Sequence, residues 1–204
     1  GPFYQFKLIN EFFNPGPIAQ PEIPIYLAGV NPRMCRAAGE VADGFHVHPM
    51  HTVPYLQQVV RPALDEGART RGKTVAVLEL YSPVFVVTGE TEAERAAMEK
   101  AVRRQIAFYA STPSYATVLE FHGFGDLQKQ LGGLMRDGKL DEMGAHVPDA
   151  LLAEIVVFAP SSSLGQTLRE RYTGVLDRVS LYSTMGGEGS FSRWPELVAG
   201  IHGG

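Results

Sequence analysis

The sequence predicts an α/β protein built on a parallel sheet, and three observations predict it. An apolar strand, residues 25–28, runs straight into Gly29, after which Asn31 and Pro32 open a helix. Eleven residues after Asn31 begins Ala42-Asp-Gly-Phe-His-Val-His48, a second strand that ends in histidines. Strand and helix patterns then keep alternating, as βαβ units do.

Taken in order, residues 1–24 carry Pro2, Pro15, Pro17, Pro21 and Pro24 among the aromatics Phe3, Tyr4, Phe6, Phe12 and Phe13. This is an extended lead-in, too rich in proline for an interior strand or helix, and its aromatics predict packing on an apolar surface of the domain or of a second subunit. Residues 25–28 predict a short buried strand. Residues 32–42 predict a helix with Met34, Ala37, Ala38 and Val41 on its apolar face. Residues 44–48 form the next strand. A helix then runs from about Pro54 to Arg71, capped by Thr52 and kinked by Pro62. Residues 74–87 are rich in Val, Leu and Phe and read as strand, with a break or bulge at Ser82-Pro83.

Thr91 and Glu94 make a capping box for a helix from about Glu92 to Ala110, whose Arg95, Arg103 and Arg104 read as a solvated face. Residues 113–158 are helical pieces broken by glycines, and 155–158 fits either a strand or a helix end. Ser162 to Tyr172 is helical and Arg178 to Tyr182 is a last strand. Arg169 and Arg171 read as members of surface ion pairs. A glycine joint at 186–189 precedes a short helix near Trp194, so that 190–204 is a terminal helix and tail. The whole chain, 1–204, reads as a single domain.

Composition narrows the classes. Hydrophobic residues make up 45% and charged residues 20%, as in an ordinary globular protein. The formal net charge is −4 with no long basic run, which disfavours nucleic-acid binding. No apolar stretch has the length of a membrane span, and none reads as a signal peptide. The single cysteine, Cys35, sits among small apolar neighbours as a packed thiol, which suits a cytoplasmic protein.

Ligands of parallel α/β sheets bind where the strands end. The loops after residues 28 and 48 are predicted to be neighbours on that rim, so that Gly29, Asn31, His48 and His51 look into one pocket. A helix start at a strand end offers free N–H groups and a positive dipole end to phosphate. An ordinary strand-to-helix turn has the same spacing.

Residues 24–34, Pro-Ile-Tyr-Leu-Ala-Gly-Val-Asn-Pro-Arg-Met, followed by Ala38-Gly-Glu-Val-Ala-Asp-Gly44, resemble the luciferase-like monooxygenase superfamily. They are most similar to the coenzyme F420 (deazaflavin)-dependent oxidoreductases of actinobacteria. Phe12-Phe-Asn-Pro-Gly-Pro17 and residues 169–178 carry the same resemblance. It implies a (β/α)8 TIM-barrel fold, of which this chain matches the C-terminal half, strands five to eight. It therefore also implies truncation at the N-terminal side, with pairing to a further copy as a homo-oligomer or to the missing N-terminal half. By resemblance Ala28, Gly29, Val30, Asn31, Arg33 and Met34 hold the phosphate-bearing part of F420, or of flavin mononucleotide (FMN) as the alternative. His48 and His51 stand in the catalytic position, with His46 beside them in the substrate pocket. In relatives acting on phosphorylated sugars a lysine stands where this chain has His51, which argues against a sugar phosphate. The implied chemistry is hydride transfer between the deazaflavin and an electrophilic carbon of a small molecule, with a histidine handling the accompanying proton.

Two other readings stand beside it. His46, His48 and His51 at a barrel mouth have the composition of a divalent-metal site, as in a metal-dependent hydrolase. A half barrel with two open sheet edges also suits a non-catalytic assembly module.

Overall fold

The computed structural model describes residues 2–5, 7–8, 10, 12–74, 78–182 and 194–202. Its centre is a parallel sheet of five strands: β1 (Tyr26–Gly29), β2 (Gly44–Val47), β3 (Glu79–Val87), β4 (Val157–Phe158) and β5 (Arg178–Tyr182). β1 pairs with β2 and β2 with β3; β3 then pairs with β5 over Tyr81–Phe85 and with β4 at Val86–Val87. Among the described residues every pairing is parallel, as the alternating pattern predicts. The helices are α1 (Pro32–Val41), α2 (Val53–Tyr55), α3 (Arg61–Thr70), α4 (Glu92–Ala110), α5 (Ala116–Phe121), α6 (Gly125–Arg136), α7 (Leu140–Met143), α8 (Asp149–Ile155), α9 (Leu164–Tyr172) and α10 (Trp194–His202). No described helix is long and apolar enough to cross a membrane. The glycine joint at 186–189 lies outside the described residues.

One face of the sheet is a packed core. Phe45, Leu80, Ser82 and Val84 are fully buried there. The opposite face follows the register Ala28–His46–Tyr81–Arg178. There Tyr26 and Ala28 are exposed, and His46, Tyr81, Pro83, Ser180 and Tyr182 are half-buried. β1 is therefore an exposed edge and not the buried strand expected from its apolar sequence. Both ends of the sheet are tied by aspartates that enter strands. Asp43 accepts from Ile25 N–H at 3.0 Å, and Asp177 accepts from Leu80 N–H at 2.8 Å.

The buried face of α1 is Cys35, Ala38 and Gly39, whereas Met34 and Val41 are 45% and 65% exposed. The stripe is rotated because α3 presses backbone against backbone. A Cβ on Gly39 would stand 2.1 Å from the Leu64 carbonyl oxygen, and one on Gly67 2.0 Å from that of Arg36. Gly39 and Gly44 of the Ala38–Gly44 segment thus serve packing: Gly44 lies under the Tyr26 ring, which reaches across to Glu79. Gly67→Ala is expected to cost about 2 kcal/mol in a denaturant titration, overpacking outweighing the gain in helix propensity.

Pro62 does not bend one long helix. The chain instead widens into a π-turn at Leu56–Val60 between α2 and α3. Thr52 caps α2 through a hydrogen bond from Tyr55 N–H. β3 is continuous through Pro83, because its ladder with β2 ends at Tyr81. The capping box of α4 forms as expected. Its arginines are a solvated face only in part, since Arg104 is exposed while Arg95 and Arg103 are half-buried. Arg103 binds Glu99, Asp149 and the Val147 carbonyl, and Arg104 binds Asp141, fastening the helical segment 140–149 to α4. Arg171 binds the carbonyls of Glu154 and Val156 at the end of α8, in place of a carboxylate partner. In the lead-in, Phe3, Tyr4, Phe12 and Phe13 are 62–89% exposed.

Candidate active site

The C-terminal rim of the sheet carries the loop after β1, the loop after β2 and the segment that follows α4. Val30 and Asn31 are half-buried and Arg33 and Met34 exposed at the start of α1. Gly29 is where α1 approaches most closely, since a Cβ there would lie 2.7 Å from Met34 Cβ and 3.4 Å from the Phe45 ring. Asn31 makes no side-chain cap. Its Oδ1 accepts from Thr117 Oγ1 at 2.8 Å, and Thr117 in turn accepts from Tyr55 Oη at 3.2 Å. The Met34 N–H is engaged by the Asn31 carbonyl, so Met34 brings its side chain to the turn. The first turn of α1 has no acidic residue, and Arg33 makes no ion pair among the described residues.

The three histidines separate. His46 packs edge-on against Tyr81 with centroids 4.4 Å apart on the open face. His48 stands at the rim between Tyr109 and Tyr115, at 4.6 and 4.5 Å. His51 turns into the core and is 2% exposed. Its Nδ1 lies 2.9 Å from the His48 carbonyl and 3.3 Å from Ser82 Oγ, and its Nε2 has no partner. Gly29, Val30, Phe45, His48 and His51 line one small cavity of about 10 Å³, so three of the four positions expected to share a pocket do so, while Asn31 points away to Thr117. The three imidazoles do not converge, and no group of three or more His, Cys, Asp or Glu among the described residues is placed to hold a metal ion.

Electrostatics divides His48 and His51 from a proton shuttle working near neutrality. Burial, then the neighbouring His46, lowers His48 to about 4. Burial lowers His51 to about 4 as well. Both rings are neutral at pH 7. Met50 N–H donates to His48 Nδ1 at 3.1 Å, so the proton of the neutral ring sits on Nε2, which lies 3.0 Å from Tyr115 Oη. Tyr109 and Tyr182 share a 2.5 Å hydroxyl contact, and burial, then Tyr182, pushes Tyr109 up to about 12. Burial also raises Cys35 to about 12, which leaves it a packed thiol.

Sequence reasoning missed Tyr55, Tyr109, Tyr115, Thr117 and Tyr182. All but Tyr182 come from helical segments whose relation to the rim no periodicity reveals.

The profile of the luciferase-like monooxygenase family matches residues 1–178. An uncharacterized protein of Mycobacterium tuberculosis H37Rv is 41% identical over 179 residues, 88% of this chain and 53% of that protein. A 5,10-methylenetetrahydromethanopterin reductase of Archaeoglobus fulgidus is 27% identical over 126 residues, 62% of this chain and 35% of the reductase. The solved coenzyme F420-dependent tetrahydromethanopterin reductase of Methanopyrus kandleri superposes with a TM-score of 0.61 at 19% identity, covering 78% of this chain and 44% of the reductase. The chain spans about half the length of the curated relatives it matches.

Proposed function

This chain belongs to the luciferase-like monooxygenase family, and on that footing we propose that it serves an F420-dependent oxidoreductase acting on a small organic molecule. The observation that carries the reading is the shared rim. The turn after β1 and the His48–Tyr115 pair both stand at the C-terminal ends of parallel strands, joined through the Asn31–Thr117 hydrogen bond. The F420 dependence named for the Methanopyrus reductase supports the choice of coenzyme.

The residues present fit an anionic coenzyme tail. Small residues Ala28 and Gly29 lead into a helix start without carboxylates, and Arg33 adds an exposed guanidinium. Val30, Asn31 and Met34 complete the cradle. The bound deazaflavin supplies hydride chemistry. The protein orients it, excludes water and positions polar hydrogens from His48 and its neighbours. His46 lines the substrate side on the open face. His51, from inside the core, fixes the loop that bears His48.

Titrating the protein with F420 and, separately, with FMN while following coenzyme fluorescence tests this. Saturable F420 binding, weakened about tenfold by Arg33→Ala as expected for loss of one charge-assisted contact, is the expected result. No saturable change with F420 overturns the reading, and saturation by FMN alone transfers the site to an FMN-dependent monooxygenase of the same family.

A further inference from the structure

We propose that Tyr115 is the proton donor of this site and that His48 is its positioning residue. The inference rests on the oxidoreductase reading above.

The direction of the hydrogen bonds supplies the argument. Met50 N–H occupies His48 Nδ1, so His48 Nε2 carries the hydrogen and must donate to Tyr115 Oη. Tyr115 is therefore the acceptor in that pair, and its own O–H hydrogen has no acceptor among the described residues. Tyr115 is half-buried at the rim. Two residues further on, Thr117 binds Asn31 of the proposed coenzyme turn. One short segment thus touches both the turn, through Thr117, and the histidine, through Tyr115. Tyr109, whose ring packs edge-on against Tyr115, is engaged through its hydroxyl with Tyr182.

For a carbonyl substrate, a reduced deazaflavin held at this rim would supply the hydride to the carbonyl carbon and would be oxidised in doing so. The C=O π bond breaks, its electron pair stays on oxygen, and that oxygen takes the Tyr115 proton, giving an alcohol. The phenolate is held by the His48 Nε2–H and regains a proton from water. His48 never changes protonation state, which suits a ring that burial keeps neutral.

The test compares wild type, Tyr115→Phe, His48→Leu and His48→Gln, the last retaining an N–H donor. Protein carrying ¹³Cζ-tyrosine is titrated with F420, and coenzyme fluorescence reports occupancy. F420 affinity is expected to stay within twofold in Tyr115→Phe. The wild-type ¹³Cζ signal of Tyr115 is expected to shift on binding while that of buried Tyr172 stays. Single-turnover oxidation of reduced F420 by a panel of short aldehydes and ketones is expected to slow about 100-fold in Tyr115→Phe. It should slow in His48→Leu too, with partial recovery in His48→Gln. F420 that saturates without moving the Tyr115 signal overturns the proposal, as do equal turnover rates in wild type and Tyr115→Phe. Failure of F420 to saturate any of the proteins overturns the oxidoreductase reading, and this inference with it.

Discussion

Phe45→Ala is expected to destabilise the protein by about 4 kcal/mol, the largest effect of any single truncation proposed here. The ring is fully buried on β2. It lies 3.4 Å from the place where a Gly29 side chain would begin, and it lines the small cavity shared with Val30, His48 and His51. Its removal withdraws apolar area from the core and leaves the β1–α1 junction without a floor. Little can refill the gap, because α1 is held by the backbone contact at Gly39 and Gly67. Chemical denaturation monitored by circular dichroism checks the figure. A loss below about 1 kcal/mol would mean that the site relaxes around the gap.

Acid is expected to destabilise the fold before the carboxylates titrate. His51 is buried, and its folded-state value of about 4 lies below the ordinary 6.5. The unfolded chain therefore binds more protons than the folded one between these values. Stability is full above pH 6.5 and falls as the pH drops through that window toward 4. The slope is about 1.4 kcal/mol per pH unit, so the loss reaches about 3 kcal/mol. His48 acts in the same direction, with a smaller contribution because its ring is partly solvated. Denaturant midpoints measured from pH 7 to 5 should drop in wild type and flatten in His51→Gln, whose amide cannot charge. A His51 ring whose NMR titration midpoint lies near 6.5 would contradict this account.

The parallel sheet was legible because its strands end in recognisable helix starts, at Asn31, Thr52 and Thr91. α4 was legible in full, since its capping box and helical period agree. The buried side of α1 was not, because the pattern of large residues pointed to Met34 and Val41. The deciding force was a glycine-to-backbone contact with α3 that leaves no periodic trace. The continuity of β3 through Pro83 depended on where its neighbour stops, a tertiary fact. At the candidate site the histidines were visible as residues but not in their orientations. His48 and His51 lie three positions apart, yet one reaches the rim and the other the core. Tyr115 gave no signal, since a tyrosine in a Pro-Ser-Tyr turn reads as surface loop until Thr117 is seen to hold that turn against Asn31.

Amide hydrogen exchange with and without saturating F420 measures the central claim most directly, because it reports where on the chain the coenzyme sits. The account predicts slowed exchange across residues 28–34 and 115–117, with no change at Asp43–Gly44 and Asp177–Arg178 on the opposite rim. Coenzyme that saturates while residues 28–34 exchange as before, or that protects only the opposite rim, would contradict it.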